Sequence, residues 1–394
     1  MSLTCKLAKL ALNFDMNGMV LPCNLTTWFL KDLKDERHYN VLTDDVKTIW
    51  DSEHRKKLLA DHDDGVRNPT CKMCWNSEDA GIQSPRQKFN ELLKDVEVLR
   101  SQPRVMIVKP GNQCNNACRS CNAHTSSMWY KTDYALNNQG KTFKEYLKFF
   151  DRHRTAYNDN QLLEQRLAEW EDNIIFWDMY GGEPMIAPLF FKLLDQAVNS
   201  KTAKEKMFGV HTNGMVYKED LVEKFSKFKK AKIGFSVDAI GEKNDYIRYG
   251  SKWEDILGNL KKYISDCERY DNVSISVRTT YTPWNIYYYD EIYEYFKKEF
   301  GIVAGGYWCD DKPWNDIRYI PRKVKAQIIA KLSKFENNDA EWVEKFDELK
   351  KWIIIEPHNY EKLQNSFMEF NSKVDAIRKE KFDSVFPEYH KLYT

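Results

Sequence analysis

At 394 residues the chain is long enough for two or three domains, and 42% hydrophobic with 30% charged residues is enough for a proper core under an ordinary charged surface. Its 60 basic and 59 acidic side chains leave a formal charge of +1, which gives no long-range pull toward nucleic acid or anionic membrane and disfavours nucleic acid as a partner. No run approaches the roughly 18 apolar residues of a membrane span. The first fourteen residues, where Lys6 and Lys9 alternate with Leu and Ala, do not read as a signal peptide. The expected compartment is therefore the cytoplasm, where nine cysteines stay reduced and short spacings between them point to metal or catalysis.

Three regions follow in chain order. Residues 1–100 are mixed. Asp15-Met-Asn-Gly18-Met-Val-Leu-Pro-Cys23 reads as a β-hairpin with an Asn-Gly turn, a helix-like run holds Ile49-Trp50-Asp51-Ser52, and Cys71 and Cys74 form a CxxC. Residues 101–310 alternate strands with amphipathic helices. The strands are expected at Arg104–Val108, Ile174–Tyr180, Lys206–His211, Lys232–Val237, Val273–Thr280 and Ile302–Trp308. The helices are expected at Ala187–Asn199, Lys218–Phe228, Trp253–Glu268 and Tyr287–Phe300. This alternation predicts an α/β fold, a partial (β/α)6 barrel with parallel strands and its chemistry at their C-terminal ends. Residues 122–173 are too long for one crossover and predict a helical insertion (Thr142–His153 and Gln161–Trp170) beside the substrate entrance. Residues 311–394 form a helical C-terminal region rich in Lys and Glu.

The first predicted strand runs into Cys114-Asn-Asn-Ala-Cys118-Arg-Ser-Cys121, a CxxxCxxC loop. Three thiolates on one loop can each bind one iron of a cubane, leaving a fourth iron open, as catalysis requires; a zinc site completed by His124 is the other reading. Strand two ends in Gly181-Gly182-Glu183-Pro184, where the glycines allow close backbone approach to a ligand and Glu183 is an acceptor for an amine. A Gly-Gly turn is the plainer reading. Strand three ends His211-Thr-Asn213-Gly214. On strand four, Ser236 and Asp238 share a face, and Arg248, ten residues beyond Asp238, can clamp a carboxylate or be a surface charge. Strand five carries Arg278 and leads to Asn285. Cys309 follows strand six and is a candidate catalytic thiol or a small buried hydrophobe, whereas Cys267 reads as structural.

CxxxCxxC after the first strand of a six-unit β/α chain resembles the radical S-adenosylmethionine (SAM) superfamily, with Ser120 where the family usually has an aromatic residue. The resemblance implies a 4Fe–4S cluster on Cys114, Cys118 and Cys121 that donates an electron to SAM. Methionine leaves, and a 5′-deoxyadenosyl radical abstracts a substrate hydrogen. It places the methionine amine at Gly181, Gly182, Glu183 and Pro184, the SAM and substrate site at Asn213, and the methionine carboxylate at Ser236 and Arg248. Asp238 joins them by strand alternation. An external one-electron donor of the flavodoxin or ferredoxin type is also implied.

The earlier cysteines, Cys5, Cys23, Cys71 and Cys74, make a complete four-thiolate set, either a zinc knuckle or a closed Fe–S site. Their order with Gly18 and Trp50-Asp51-Ser52 resembles the twitch or SPASM module of radical SAM enzymes, which implies an auxiliary cluster. That module usually follows the core and here precedes it. The expected activity is radical modification of a peptide or protein. A small-molecule substrate such as a sugar, nucleoside or amino acid is the alternative, and a zinc-stabilised binding protein the non-enzymatic one.

Overall fold

The structure, a computed structural model, describes residues 3–26, 28–99, 101–137, 140–155, 161–335 and 339–394. One eight-stranded sheet organises it. Its strands are β1 (Ala11–Phe14), β2 (Val20–Leu21), β3 (Val105–Val108), β4 (Phe176–Met179), β5 (Met207–Thr212), β6 (Lys230–Ser236), β7 (Val273–Tyr281) and β8 (Gly305–Trp308), in the order β2-β1-β3-β4-β5-β6-β7-β8. β3 to β8 are the six expected parallel strands. The N-terminal hairpin is not set apart from them: β1 pairs in parallel with β3, Ala11 opposite Val105 and Phe14 opposite Val108, while β2 pairs antiparallel with β1.

The first hundred residues also supply α1 (Lys6–Leu10), α2 (Val46–Trp50), α3 (Glu53–Asp63), α4 (Lys72–Asp79) and α5 (Pro85–Leu92). Ser84 starts α5 with a capping box, its hydroxyl accepting from the Gln87 amide and the Gln87 side chain accepting from the Ser84 amide. The insertion holds α6 (Tyr130–Asn137), α7 (Phe143–Thr155) and α8 (Gln161–Ala168). The crossovers contain α9 (Pro188–Val198), α10 (Leu221–Phe225), α11 (Glu242–Ile247), α12 (Trp253–Cys267) and α13 (Tyr289–Phe300). The C-terminal region adds α14 (Arg322–Ser333), α15 (Ala340–Ile353), α16 (Tyr360–Leu363), α17 (Ser366–Arg378), α18 (Phe382–Val385) and α19 (Pro387–His390). No helix among the described residues is long and apolar enough to cross a membrane.

Strand alternation divides the sheet into two faces. On the convex face, Trp177, Met179, Phe208, Val210, Ile233 and Val277 are buried with Phe190 and Leu193 of α9, Leu260 of α12 and Phe296 of α13. On the concave face the outcome differs along the sheet. Val105 and Ile107 of β3 are buried with Leu7, Leu10 and Leu93 of the N-terminal module, so β3 is apolar throughout. From β4 onward the concave positions read Asp178, Gly209, His211, Lys232, Gly234, Ser276 and Arg278, because there the strands line a cavity. A parallel sheet covered on both faces would be apolar at every position; the polar alternation of β4 to β7 is the trace of that cavity.

The C-terminal helices have their own aromatic core, which takes in Trp284, Tyr289, Trp342, Phe367 and Phe386 together with Ile82 of the N-terminal module. The insertion was expected at the substrate entrance; no described residue of it lines the cavity. Its aromatic face, Tyr130 and Phe150, is instead buried with Trp129, Ala117 and Val374 of α17.

The C-terminal region is tied to the cysteine loop by one buried cation. Arg119 is fully buried and donates to Asn371 at 2.9 Å, Asp375 at 2.6 Å and Glu380 at 2.8 Å, with its guanidinium 3.7 Å from the Tyr246 ring centre. Breaking a buried ion pair by removing one partner leaves uncompensated charge. Arg119→Met is expected to lower stability by about 3 kcal/mol in denaturant titration.

Candidate functional site

The loop after β3 owes its shape to two neighbours. Gly182 approaches it so closely that a Cβ there would lie 2.5 Å from the Gln113 carbonyl oxygen and 2.7 Å from that of Gly111, and its φ of +57° is one that glycine tolerates best. The Glu183 amide donates to the Gln113 carbonyl at 2.7 Å. The sequence reading gave these glycines to a ligand; the structure gives the approach of Gly182 to the cysteine loop itself. From the other side the Ala117 amide donates to the Tyr249 carbonyl and the Arg119 amide to the Ile247 carbonyl, both at 2.7 Å. These two bonds straddle Cys118 on one chain and Arg248 on the other. Trp129 Nε1 closes the clasp by donating to the Cys118 carbonyl at 2.7 Å.

The three thiols are thereby brought together. Cys121 donates to Cys118, which brings the Cys118 thiol down to about 7 and drives that of Cys121 up; burial and the neighbouring Cys118 push Cys114 up to about 12. Nearby Arg248 favours the thiolate at all three. Arg248 is buried, donates to Asp238 Oδ2 at 2.7 Å, and has its Nε buried without a hydrogen-bond partner. Asn116, fully buried on the cysteine loop, likewise has both side-chain polar atoms unpartnered. Orphaned buried donors are costly, and here they cluster where a chelating carboxylate and a cluster would sit. Three thiols, a desolvated guanidinium and these orphans fit a 4Fe–4S cluster with SAM.

Other expected contacts are placed differently. Both Glu183 oxygens are engaged, Oε1 by the Thr212 hydroxyl at 2.8 Å and the Met185 amide at 3.0 Å, Oε2 by the Asn213 amide at 2.7 Å. A carboxylate has about four acceptor sites, so Glu183 chiefly fixes the ends of β4 and β5. Pro184 starts the short 3-10 turn that Glu183 caps. Asp238 accepts from Arg248 and from the Thr280 amide at 3.0 Å, which makes it the group that orients Arg248. Asn213 reaches the cysteine loop, donating to Asn115 Oδ1 at 2.5 Å with Cys114 Sγ 4.0 Å away. Ser236 ends β6 opposite Arg278. Asn285 is spent locally on Thr282 and Thr280.

Below this layer the concave face forms a cavity of about 250 Å³, walled by β4 to β8 and, opposite, by Pro85, Lys88, Phe89 and Leu92 of α5. His211 Nε2 lies 3.3 Å from Asp178 Oδ1 within it. Leu92 and Tyr307 stand half exposed on its lining.

Cys5, Cys23, Cys71 and Cys74 line a second cavity, otherwise walled mainly by apolar side chains such as Leu7, Pro22, Leu58 and Met73. Cys5 caps α1 by accepting from the Ala8 amide at 3.5 Å, and His62 Nε2 lies 3.3 Å from Cys71 Sγ. Burial raises all four thiols, Cys71 to about 12 and Cys74 to about 11. Four thiols on a largely apolar wall have the chemistry of the donor set of a closed Fe–S or zinc site. Phe89 lines both cavities, so this site lies on the concave side of the sheet next to the larger one. Among the described residues no three His, Cys, Asp or Glu side chains converge as the ligands of a single metal ion would.

Cys309 is absent from the lining of the large cavity. Its thiol donates to Asp311 at 3.3 Å and is held protonated by burial and by Asp311. Asp311 in turn accepts from Asn315, whose amide also reaches the Ser120 carbonyl at 3.3 Å. His124 packs edge-on to Phe150 at 5.2 Å. Cys267 ends α12 against the convex core. Sequence reading missed Arg119, Asn116 and Trp129. The first two lie inside the cysteine motif, yet nothing in a single sequence marks a motif's spacer residues as buried. Gly182→Ala is expected to cost about 2 kcal/mol of stability and to reduce the iron retained after anaerobic reconstitution, checked by iron analysis and the electron paramagnetic resonance of the reduced protein.

Residues 108–277 match the Radical SAM superfamily and residues 5–75 the SPASM family, an iron-sulfur cluster-binding domain. A comparison with curated proteins found no match. Solved structures similar to this chain include native anSMEcpe with bound AdoMet (18% identity over 59% of each chain, TM-score 0.40). They also include Streptococcus suis SuiB bound to S-adenosylmethionine (15% identity over 68% of this chain and 50% of that one, TM-score 0.36). The match thus spans less than two thirds of either protein. With each thiol set gathered in its own matched segment, residues 108–277 form a radical SAM domain and residues 5–75, ahead of it, a SPASM-like iron-sulfur cluster-binding module.

Proposed function

We propose that the enzyme modifies a side chain of a peptide or protein inserted into the concave cavity, in the cytoplasm, with electrons from a flavodoxin- or ferredoxin-type donor. The observation that carries this reading is the open mouth of the cavity. It is lined by the half-exposed Leu92 and Tyr307, and His211 on its wall stands two residues before Asn213, which reaches the cysteine loop. A free small molecule would ordinarily find a pocket that buries most of its surface.

When bound, the cluster and SAM would supply the hard chemistry, reductive cleavage of SAM and abstraction of a substrate hydrogen. The polypeptide binds and orients. In this reading Cys114, Cys118 and Cys121 hold the core cluster, and Cys5, Cys23, Cys71 and Cys74 the auxiliary one. Arg248, aimed by Asp238, grips the methionine carboxylate with its unpartnered Nε. Gly181, Gly182, Glu183 and Pro184 set the wall beside the methionine, with Asn213 and Ser236 at the strand ends. Cys309, which follows β8 outside the cavity lining with its thiol on Asp311, would reach substrate only beyond the chamber.

Anaerobic reconstitution is expected to give about 8 iron atoms per chain from two cubanes, and the reduced protein to convert SAM to 5′-deoxyadenosine. Cys118→Ala should abolish that conversion. Cys71→Ala should leave cleavage that is no longer coupled to product. Arg248→Gln should raise the KM for SAM at least tenfold, about 1.4 kcal/mol. A colourless protein holding stoichiometric zinc overturns the assignment.

A further inference from the structure

The cavity floor is cationic for a reason its catalytic neighbours do not supply. Four permanent cations line it, Lys88, Lys230, Lys232 and Arg278, with His211 as a fifth basic group, against the single carboxylate of Asp178. Asp178 is already taken by His211 at 3.3 Å, and Lys88 has Glu348 at 3.9 Å. Lys232 is left with like charges: the ionic groups bearing on it are Arg278 and Lys230, which together with burial push its ammonium below the usual lysine range. Arg278 spends one nitrogen on the Tyr307 hydroxyl at 2.5 Å, but its Nε is buried without a partner, as is Ser276 Oγ two residues earlier on the same face of β7.

These groups gather over a glycine on the cavity wall. On β6, Gly234 sits two residues above Lys232, opposite His211 on β5 and Ser276 on β7. A Cβ at Gly234 would lie 3.2 Å from His211 Nδ1 and 3.5 Å from Arg278 Cγ. The glycine therefore lets His211 and Arg278 pack over β6, so that both reach the cavity wall beside Lys232. Asn213 lies two residues above His211, about 7 Å higher by strand rise, so a group held here keeps its substrate within reach of the cysteine loop.

We propose that the basic wall of the cavity, formed by Lys232, Arg278, Ser276 and His211, is an oxyanion receptor, and that the residue drawn into the cavity carries a carboxylate or a phosphate. This rests on the reading of the cavity as the substrate chamber and names the chemistry of what enters it. Arg278 offers its free Nε, Ser276 a hydroxyl, and Lys232 a charge whose repulsion by Arg278 is relieved once the anion is seated.

The test is calorimetric titration of the anaerobically reconstituted full chain, saturated with SAM so that Arg248 is occupied. Inorganic phosphate, glutarate and the neutral glutaramide are the probes. Phosphate or glutarate is expected to saturate one site at millimolar concentration, whichever binds identifying the source of the oxyanion, while glutaramide does not bind. Arg278→Gln should weaken that binding about tenfold, and Lys232→Gln, a half-buried position that tolerates the change if the arginine does not, severalfold. Lys204→Gln, on the exposed far surface, should leave it unchanged, and thermal unfolding verifies that each variant is folded. Binding by neither oxyanion, equal binding of glutaramide, or an affinity indifferent to both substitutions overturns the receptor. Conversion of SAM to 5′-deoxyadenosine in the same samples reports separately on the radical assignment, which survives if only the receptor fails.

Discussion

The structure depends on a clasp of two backbone hydrogen bonds. Ala117 and Arg119 donate to the carbonyls of Tyr249 and Ile247, and so set Cys118 against Arg248 although 130 residues of chain separate them. Neither side chain could be placed by local preference. The cysteine loop has no regular structure of its own, and Arg248 follows the last turn of α11 with φ −101° and ψ 51°, outside both helix and strand. Because the bonds are between backbone groups, the pairing holds whatever the side chains carry. The loop's other face is fixed by Gly182, its flank by Trp129, and its rear by Arg119 and the C-terminal helices. A thiol set that must spread over a cubane gains nothing from flexibility, since each mobile residue would have to be ordered when the metal arrives.

A second constraint is the division of the sheet's concave side. The N-terminal module fills the half under β1 and β3 with Leu7, Leu10 and Leu93, and α5 then runs across to form the far wall of the open half. The module that brings four thiols thus also narrows the barrel into a chamber, and a single ring, Phe89, stands between the two spaces. Placement ahead of the core in sequence is no obstacle to this, because β1 joins the sheet edge next to β3.

Much of this could be read from residues in order. The six parallel strands were legible because crossover helices impose a strand-helix rhythm, and the boundaries differ only where strand ends fray; Ile302–Val303 lies outside β8, which begins at Gly305. The two cysteine sets were legible because cysteines at short, motif-like spacing point to metal binding or redox chemistry. What was not legible is whatever depends on distant partners. Glu183 and Asp238 were read as ligand contacts because a carboxylate at a strand end invites that role; the structure shows them largely satisfied by Thr212, Asn213 and Arg248. The insertion was assigned to the entrance by length alone, whereas its aromatic face decides its position against α17. Arg119 looked like a spacer, and burial through residues 252 and 256 positions later in the chain leaves no local mark.

That last separation bears on how the protein matures. During synthesis, the loop around Cys118 emerges long before Asn371, Asp375 and Glu380, and until they arrive its arginine has none of its carboxylate partners. Contacts so remote in sequence close late, after loop entropy has been overcome. The rear of the cysteine loop is therefore the last side of its seat to close, and a chain cut short of residue 371 would lack it altogether.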